Sequence, residues 1–224
     1  MASPDVPKAT AKRLPLYYRY LKFFENTGRH SISSHELSDV IQVDSATIRR
    51  DFSYLGATGK RGAGYQIILL LDVLSRMLRQ DQLVRIALVG VGNIGQALLN
   101  YNFQSTRKIR ISAAFDVDQQ IVGTIQNGVP IYSMAELSKQ MSEQQLDIAI
   151  LAVPAENAQE ATDTMVKAHV RGIMNFSPRR LSVPSYVRVL NIDLGLELQG
   201  LIYFLDHYDE QSIESKSINH LTSD

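Results

Sequence analysis

Residues 86–99, IALVGVGNIGQALL, set Gly90, Gly92 and Gly95 in the spacing G-x-G-x-x-G between an apolar strand-like run and an apolar helix-like one. That arrangement suits the pyrophosphate of a dinucleotide. Gly90 permits a tight turn, Gly92 lets the backbone approach the phosphates, and Gly95 lets helix and strand pack closely. The loop from Gly90 through Val91, Asn93 and Ile94 to Gly95 would present the positive N-terminus of a helix to the phosphates. Twenty-six residues beyond Gly90, the next strand-like run, IRISAAFDVD, reaches Asp116, with Val117 and Asp118 behind it. An acid at that strand end accepts the two ribose hydroxyls of NAD and repels the extra phosphate of NADP. No arginine follows closely, so NAD(H) is the expected ligand.

Chemistry on that ligand would need more. Hydride transfer calls for a substrate pocket and a proton donor tuned near neutral pH. The five histidines are poorly placed for it. His30 and His35 lie in the first third, His169 sits at a predicted helix end beside Arg171, and His207 and His220 lie near the C-terminus. Only Tyr132 and, less directly, Tyr101 follow strand ends. The nucleotide-binding pattern fills residues 84–207 and leaves no chain for a substrate domain. The expectation is therefore a dinucleotide that is bound without being consumed, with no catalytic residues. The absence of cysteine excludes disulfides, thiolate catalysis and sulfur-ligated zinc, and no metal is expected.

The first eighty residues read as a different device. LPLYYRYLKFFENTG places Leu14, Tyr17, Leu21 and Phe24 at helical spacing and stops at Gly28. In SISSHELSDVIQV, Ser33 or Ser34 can cap a second helix, with Glu36 in its first turn and Leu37, Val40 and Ile41 inward. Asp44 or Ser45 caps a third, whose inner residues are Ala46, Ile48, Phe52 and Leu55. Two short helices in tight succession are the helix-turn-helix arrangement. Ser45 and Thr47 open the third helix where short donors approach base edges, and Arg49 and Arg50 follow one turn later to reach phosphate or guanine. GKRGAGYQI then reads as a hairpin wing carrying Lys60 and Arg61 near its tip. LLLDVLSRMLRQD adds a helix with Leu70, Val73, Leu74, Met77 and Leu78 on one face.

Beyond residue 84, strands and helices alternate, which argues a doubly wound parallel sheet. Ligands of such sheets sit at the carboxyl ends of strands. Those ends carry Gly90, Asp116, Val153 with Pro154, and Asn175 with Phe176, as walls of one cleft. The expected α/β organisation is a loose tail over 1–13, a winged helix-turn-helix over 14–80, a Rossmann domain over 81–207, and a tail over 208–224. Charge follows the same division. Residues 1–80 hold 12 Lys and Arg against 7 Asp and Glu, while residues 81–224 hold 11 against 16. A basic first third on an acidic remainder fits a nucleic-acid module joined to a second function. No apolar run approaches bilayer length, and the first fifteen residues lack the core of a signal peptide, so a soluble cytoplasmic protein without a membrane partner is expected.

With both modules read, the chain resembles the Rex family of redox-sensing transcriptional repressors over about residues 13–207. TIRRDFSYLGATGKRGAGY carries the likeness, reinforced by GVGNIG, AAFDVD, AVP, NFSP and NIDLGLELQGL. Ser177 stands where the family more often has Ala, and Gly195 is a second departure. The resemblance implies operator DNA as partner and a homodimer that swaps a C-terminal helix, here roughly Leu194 to Tyr208. It implies NADH as the ligand that releases DNA, with NAD+ competing weakly. Arg49, Arg50, Lys60 and Arg61 would face DNA. Gly92, Asn93 and Ile94 would hold the pyrophosphate, and Asp116 the adenosine ribose. Arg19, Tyr101 and Asp193 would couple nicotinamide occupancy to the DNA-binding heads. Two other readings compete. An NAD-dependent oxidoreductase predicts turnover and a buried His or Lys beside the nicotinamide. Against a transcription factor sensing another nucleotide, such as coenzyme A, would stand loss of NADH binding in Asp116→Ala with coenzyme A binding absent throughout.

Overall fold

Leu14, Tyr17, Leu21 and Phe24 are all buried on helix α1 (Lys8–Asn26), which turns away at Gly28, φ +82°. In the computed structural model, which describes residues 6–59, 64–80, 82–101 and 108–207, these residues open the first of two units, Met1–Leu83 and Val84–Asp224. Helix α1 begins at Lys8, so residues 8–13 are helical where the sequence suggests a loose tail. The cause is anchorage: Thr10 is buried and Arg13 half-buried against the third helix.

Strand β1 (Ser31–Ile32) follows, then α2 (Ser34–Ile41) and α3 (Ser45–Tyr54). Ser33 caps α2 reciprocally with Glu36, and Asp44 caps α3 by accepting from the Thr47 N–H at 2.9 Å. Gln42, in the left-handed region at φ 56°, makes the turn between them. Val40 and Ala46 lie at the surface rather than inward, because Leu37, Ile41, Ile48 and Phe52 already complete the inner stripe. Strand β2 (Tyr65–Gln66) pairs antiparallel with β1 across the unit, and α4 (Ile67–Met77) starts at once. No strand precedes β2 within 55–59, so the described residues do not form the expected hairpin of consecutive strands. The backbone of Ile32 takes that pairing role instead.

The second unit carries β3 (Val84–Val89), α5 (Asn93–Tyr101), β4 (Ile109–Asp116), β5 (Ile125–Gln126), β6 (Val129–Ser133), α6 (Leu137–Glu143), β7 (Ile148–Leu151), α7 (Ala158–Lys167), β8 (Gly172–Asn175), β9 (Arg188–Asn191) and α8 (Leu194–His207). The sheet order is β5-β6-β4-β3-β7-β8-β9, parallel except for the short β5 at one edge. Without β5 this is the 3-2-1-4-5-6 order of a Rossmann sheet, and the strand order reverses between β3 and β7.

Alternate residues face two cores. Ala87, Val89, Phe115 and Leu151 pack with Leu137 of α6 and Met165 of α7, while Ile86, Leu88, Ala114 and Ile150 pack with Leu99 of α5. Burial on both faces explains why these strands read as unbroken apolar runs. Helix α8 is different: none of its residues is buried. Residues 208–224 lie outside the described residues.

Candidate functional site

At the reversal point, β3 ends in a turn that only glycine fits. Gly90 has φ +93°, and a Cβ there would stand 2.5 Å from the carbonyl oxygen of Ala152, just past β7. At Gly95 a Cβ would stand 2.1 Å from the Gly90 carbonyl oxygen, so the helix enters against its own loop. The turn is held by the Gly90 N–H to Phe115 at 2.9 Å and the Ala152 N–H to Val89 at 2.8 Å. Gly92 shows the opposite: nothing lies within 4 Å of an added Cβ. Its carbonyl accepts from the Gln96 N–H at 2.8 Å, which opens α5. The fold demands Gly90 and Gly95. It leaves Gly92 bare at a helix N-terminus, where backbone N–H groups point outward. These residues fit the phosphates of a dinucleotide.

Beside this loop lies a cavity of about 460 Å³ walled by Val89, Gly90, Gly92, Phe115, Asp116, Val117, Met134, Val153, Pro154 and residues of α7. Val117 is 73% exposed, an apolar surface at the rim. Asp116 closes β4 and accepts three backbone N–H bonds. Val91 donates to Oδ2 at 2.6 Å, and Val117 and Asp118 donate to Oδ1 at 2.7 and 3.0 Å. The carboxylate thus ties the glycine loop to the next strand and keeps its remaining acceptor capacity for a ligand. Asp118 is exposed and caps its own turn through the Gln120 N–H. Asn93 and Ile94 begin α5, and Tyr101 ends it, half exposed.

Other predicted wall residues stand apart. Asn175 is buried, and its amide donates to the Arg179 carbonyl and to Asn191 Oδ1, both at 2.9 Å. Its Oδ1 accepts from the Ser177 N–H at 3.0 Å. It braces the chain after β8, and neither it nor Phe176 lines the cavity; Phe176 packs with the α5 core. Asp193 caps α8, accepting from the Gly195 and Leu196 N–H groups at 3.0 and 3.2 Å. Arg19 lies exposed on α1, in the other unit.

In the first unit, Ser45, Thr47, Arg49 and Arg50 occupy the first turns of α3. Both arginines are exposed and the two hydroxyl residues half-buried. Arg49 donates from Nη1 to Ser34 Oγ at 3.2 Å and Ser45 Oγ at 3.4 Å, which holds its guanidinium between the first residues of α2 and α3. Lys60 and Arg61 lie outside the described residues.

One residue that sequence reasoning passed over fixes this surface. Asp51 is 1% exposed on α3. Its carboxylate accepts from Thr10 Oγ1 at 2.7 Å, Arg13 Nη2 at 2.8 Å, Arg13 Nε at 2.6 Å and Tyr17 Oη at 2.5 Å. Burial alone would raise this carboxyl group, but the bonds from Arg13, Tyr17 and Thr10 outweigh it and hold the group below its ordinary value. Burial, and then the hydrogen bond to Asp51, push the Tyr17 hydroxyl upward, while the bond to Asp51 raises the Arg13 guanidinium. The signal was available: Ile48, Asp51, Phe52 and Leu55 share one helical stripe.

Two family models match, a putative DNA-binding protein N-terminus over residues 5–53 and a CoA binding domain over residues 81–179. The redox-sensing transcriptional repressor Rex of Lactiplantibacillus plantarum is 57% identical over 211 residues, covering 94% of each chain. That of Lactobacillus gasseri is 60% identical over 201 residues, covering 90% of this chain and 94% of its own. Among solved structures, RSP in complex with β-NAD+ and operator DNA is 30% identical with a TM-score of 0.82, covering 97% of this chain and 99% of that one. RSP in complex with β-NADH is also 30% identical, with a TM-score of 0.80 over 95% and 98%. These relatives are named as transcriptional repressors. With such identity along nearly all of both chains, the chain belongs to the Rex family of redox-sensing transcriptional repressors.

Proposed function

We propose that this chain binds operator DNA as a homodimer in the cytoplasm, and that NADH in the glycine-loop cleft releases it. Residues 14–80 grip the DNA and residues 81–207 sense the coenzyme, without a membrane partner. The observation that carries the reading is Gly92: a glycine the fold does not require, bare at a helix N-terminus where the sheet order reverses. Val91, Asn93, Ile94 and Gly95 complete the phosphate cradle. Asp116 receives the adenosine ribose, and exposed Val117 gives the adenine an apolar bed beside Asp118. Val153 and Pro154 border the nicotinamide half, with Tyr101 at the end of α5 and Asn175 and Phe176 at the end of β8 as its further walls. NADH and NAD+ differ by one ring charge, and an apolar surround favours the neutral ring.

On α3, Ser45 and Thr47 approach base edges while Arg49 and Arg50 reach phosphate or guanine, with Lys60 and Arg61 on the wing. Helix α8 supports the dimer. Leu194, Leu196, Leu198, Leu201, Ile202 and Phe204 are all exposed, and a helix apolar on so much of its surface finds cover on a second copy. In a symmetric pair the two α3 helices must match half-sites one DNA turn apart. The ligand acts by preferring one arrangement of the pair over the other. Arg19, Tyr101 and Asp193 transmit that preference.

The test is release of a fluorescent duplex, selected from a random pool by the purified protein, on titration with NADH, NAD+ and coenzyme A. NADH should release it at concentrations at least tenfold below NAD+, and coenzyme A should not. Equal release by both redox forms, or release by coenzyme A alone, overturns the reading.

A further inference from the structure

The cavity beside the glycine loop has one wall that the reading above leaves unused. Asn157, Glu160, Ala161 and Thr164 line it. Their offsets of three, four and seven residues place them on one face of α7 and the turn before it. The same cavity is lined by Val117, just past β4, by Met134, just past β6, and by buried Phe115. Its surfaces there are apolar, which suits a flat aromatic ring, and the polar groups are few.

Three side chains of that wall are polar, and they offer different things. The Thr164 hydroxyl donates to the Glu160 carbonyl at 3.0 Å, within its own helix. The Asn157 amide both donates and accepts, so it can turn either end to a ligand. Glu160 offers a carboxylate, which only accepts. It is exposed, and its side chain has no hydrogen-bond or ion-pair partner among the described residues. Asp116, on the same cavity, is already engaged by three backbone N–H groups. Glu160 is therefore the acceptor on this cavity that waits for a donor from the ligand.

A dinucleotide with its phosphates at Gly92 and its adenosine ribose at Asp116 sends its base into the part of the cavity formed by Val117, Met134 and α7. The ribose hydroxyls are matched by Asp116. The other donor on the adenosine half is the 6-amino group of adenine.

We infer that Glu160 accepts a hydrogen bond from that 6-amino group and makes the cleft selective for adenine dinucleotides over their hypoxanthine counterparts. This rests on the dinucleotide reading above. Hypoxanthine carries a carbonyl oxygen at the same position, which would meet the carboxylate acceptor to acceptor. A site built to pair with a polar group rejects the analogue lacking it more strongly than an apolar slot can. The contact is the same for NADH and NAD+, so it reads the base and leaves the choice between redox states to the ring's charge.

Calorimetric titration of the full-length protein, Glu160→Ala and Glu160→Gln with NADH and with reduced nicotinamide hypoxanthine dinucleotide tests it. The unsubstituted protein should bind NADH about tenfold more tightly than the hypoxanthine form, as expected for one charge-assisted hydrogen bond at a partly solvated site. Glu160→Ala should bind NADH more weakly and hold the two nucleotides alike. Glu160→Gln, whose amide can donate to the hypoxanthine carbonyl, should bind the hypoxanthine form more tightly than the unsubstituted protein does. Melting temperatures of the ligand-free proteins should agree, because Glu160 is exposed and has no partner to lose. Equal binding of the two nucleotides by the unsubstituted protein, or an undiminished preference in either variant, overturns the inference while the dinucleotide reading stands. An unsubstituted protein that binds neither nucleotide overturns both.

Discussion

Asp51 and Asp116 are two carboxylates, each held by donors at 2.5–3.0 Å, yet their surroundings differ in kind. Asp51 draws its donors from side chains on another helix, 34 to 41 residues away in sequence, inside a core. Asp116 draws its donors from backbone of its own turn and of the glycine loop, at the rim of a cavity. A carboxylate closed in by side chains is a strut; one held by main chain at a strand end stays open to a ligand. The same residue type is thus a buried strut in one unit and an acceptor at a cavity rim in the other.

The largest expected effect breaks the strut. Asp51→Ala leaves Tyr17 and Thr10 without their acceptor and Arg13 without its partner, and should cost about 3 kcal/mol in urea unfolding. Operator affinity should fall with it, while NADH binding by the other unit survives at low denaturant. Acid sharpens the point. The folded carboxyl lies below its unfolded value of about 3.9. Between the two values the unfolded chain binds more protons, so the contribution is full above about pH 5 and is lost as pH falls through the folded value. The stability gap between the parent and Asp51→Asn should therefore narrow from pH 7 to pH 3. Glu36, held down to about 2 by Arg29 and by the Ser33 cap, titrates in both proteins and cancels.

Opening the receptive carboxylate should reverse the pattern. In Asp116→Ala, dinucleotide affinity should drop about 30-fold, the scale of one hydrogen bond to a charged group. Unfolding should shift by about 1–2 kcal/mol, less than in Asp51→Ala, since the freed Val117 and Asp118 N–H groups lie on exposed residues that water reaches and only that of buried Val91 loses its acceptor. A fall in stability as large as that of Asp51→Ala would erase the distinction between the two carboxylates. Gly92→Ala probes the same site by crowding. Its Cβ meets nothing in the protein, so folding should be unchanged while NADH binding weakens about tenfold. Equal affinity in that variant would remove the phosphates from the loop.

What could be read in the sequence divides along similar lines. The buried stripe of α1 and the close fits at Gly90 and Gly95 follow from local rules and the structure carries them out, while of the cap candidates Ser33 or Ser34 and Asp44 or Ser45 it takes Ser33 and Asp44. Asp51 was passed over because a charged residue on an inner stripe reads as noise until its partners are known, and those sit on another helix. Asn175 shows the reverse: a polar residue at a strand end looks like a ligand-binding group, and only the positions of Arg179 and Asn191 reveal a brace. Asn127-Gly128, with φ of 49° and 76°, spells the hairpin that joins β5 to β6, a signal present in the sequence but left unread. In the first unit, burial of 37, 41, 48 and 52 left Val40 and Ala46 outside, a choice of face that periodicity alone does not make.

The smallest effect separates arginines that the sequence presents as a pair. Arg49 is braced by two hydroxyls, Ser34 on α2 and Ser45 on its own helix, so its direction is set before DNA arrives. Arg50 is exposed one position further round α3, and about 100° of helical rotation aims it elsewhere. A braced guanidinium over the first turn suits a base edge; one round the corner suits phosphate. Arg50→Ala should therefore weaken binding to all duplexes alike, by about 1 kcal/mol, and reduce the slope of log affinity against log salt by about 1. Arg49→Ala should cost more on the selected duplex than on a scrambled one, narrowing the ratio between them. Fluorescence anisotropy over a salt series on both duplexes reads the two effects together. If the variants change slope and ratio equally, the bracing of Arg49 carries no sequence information, and the recognition helix grips the backbone alone.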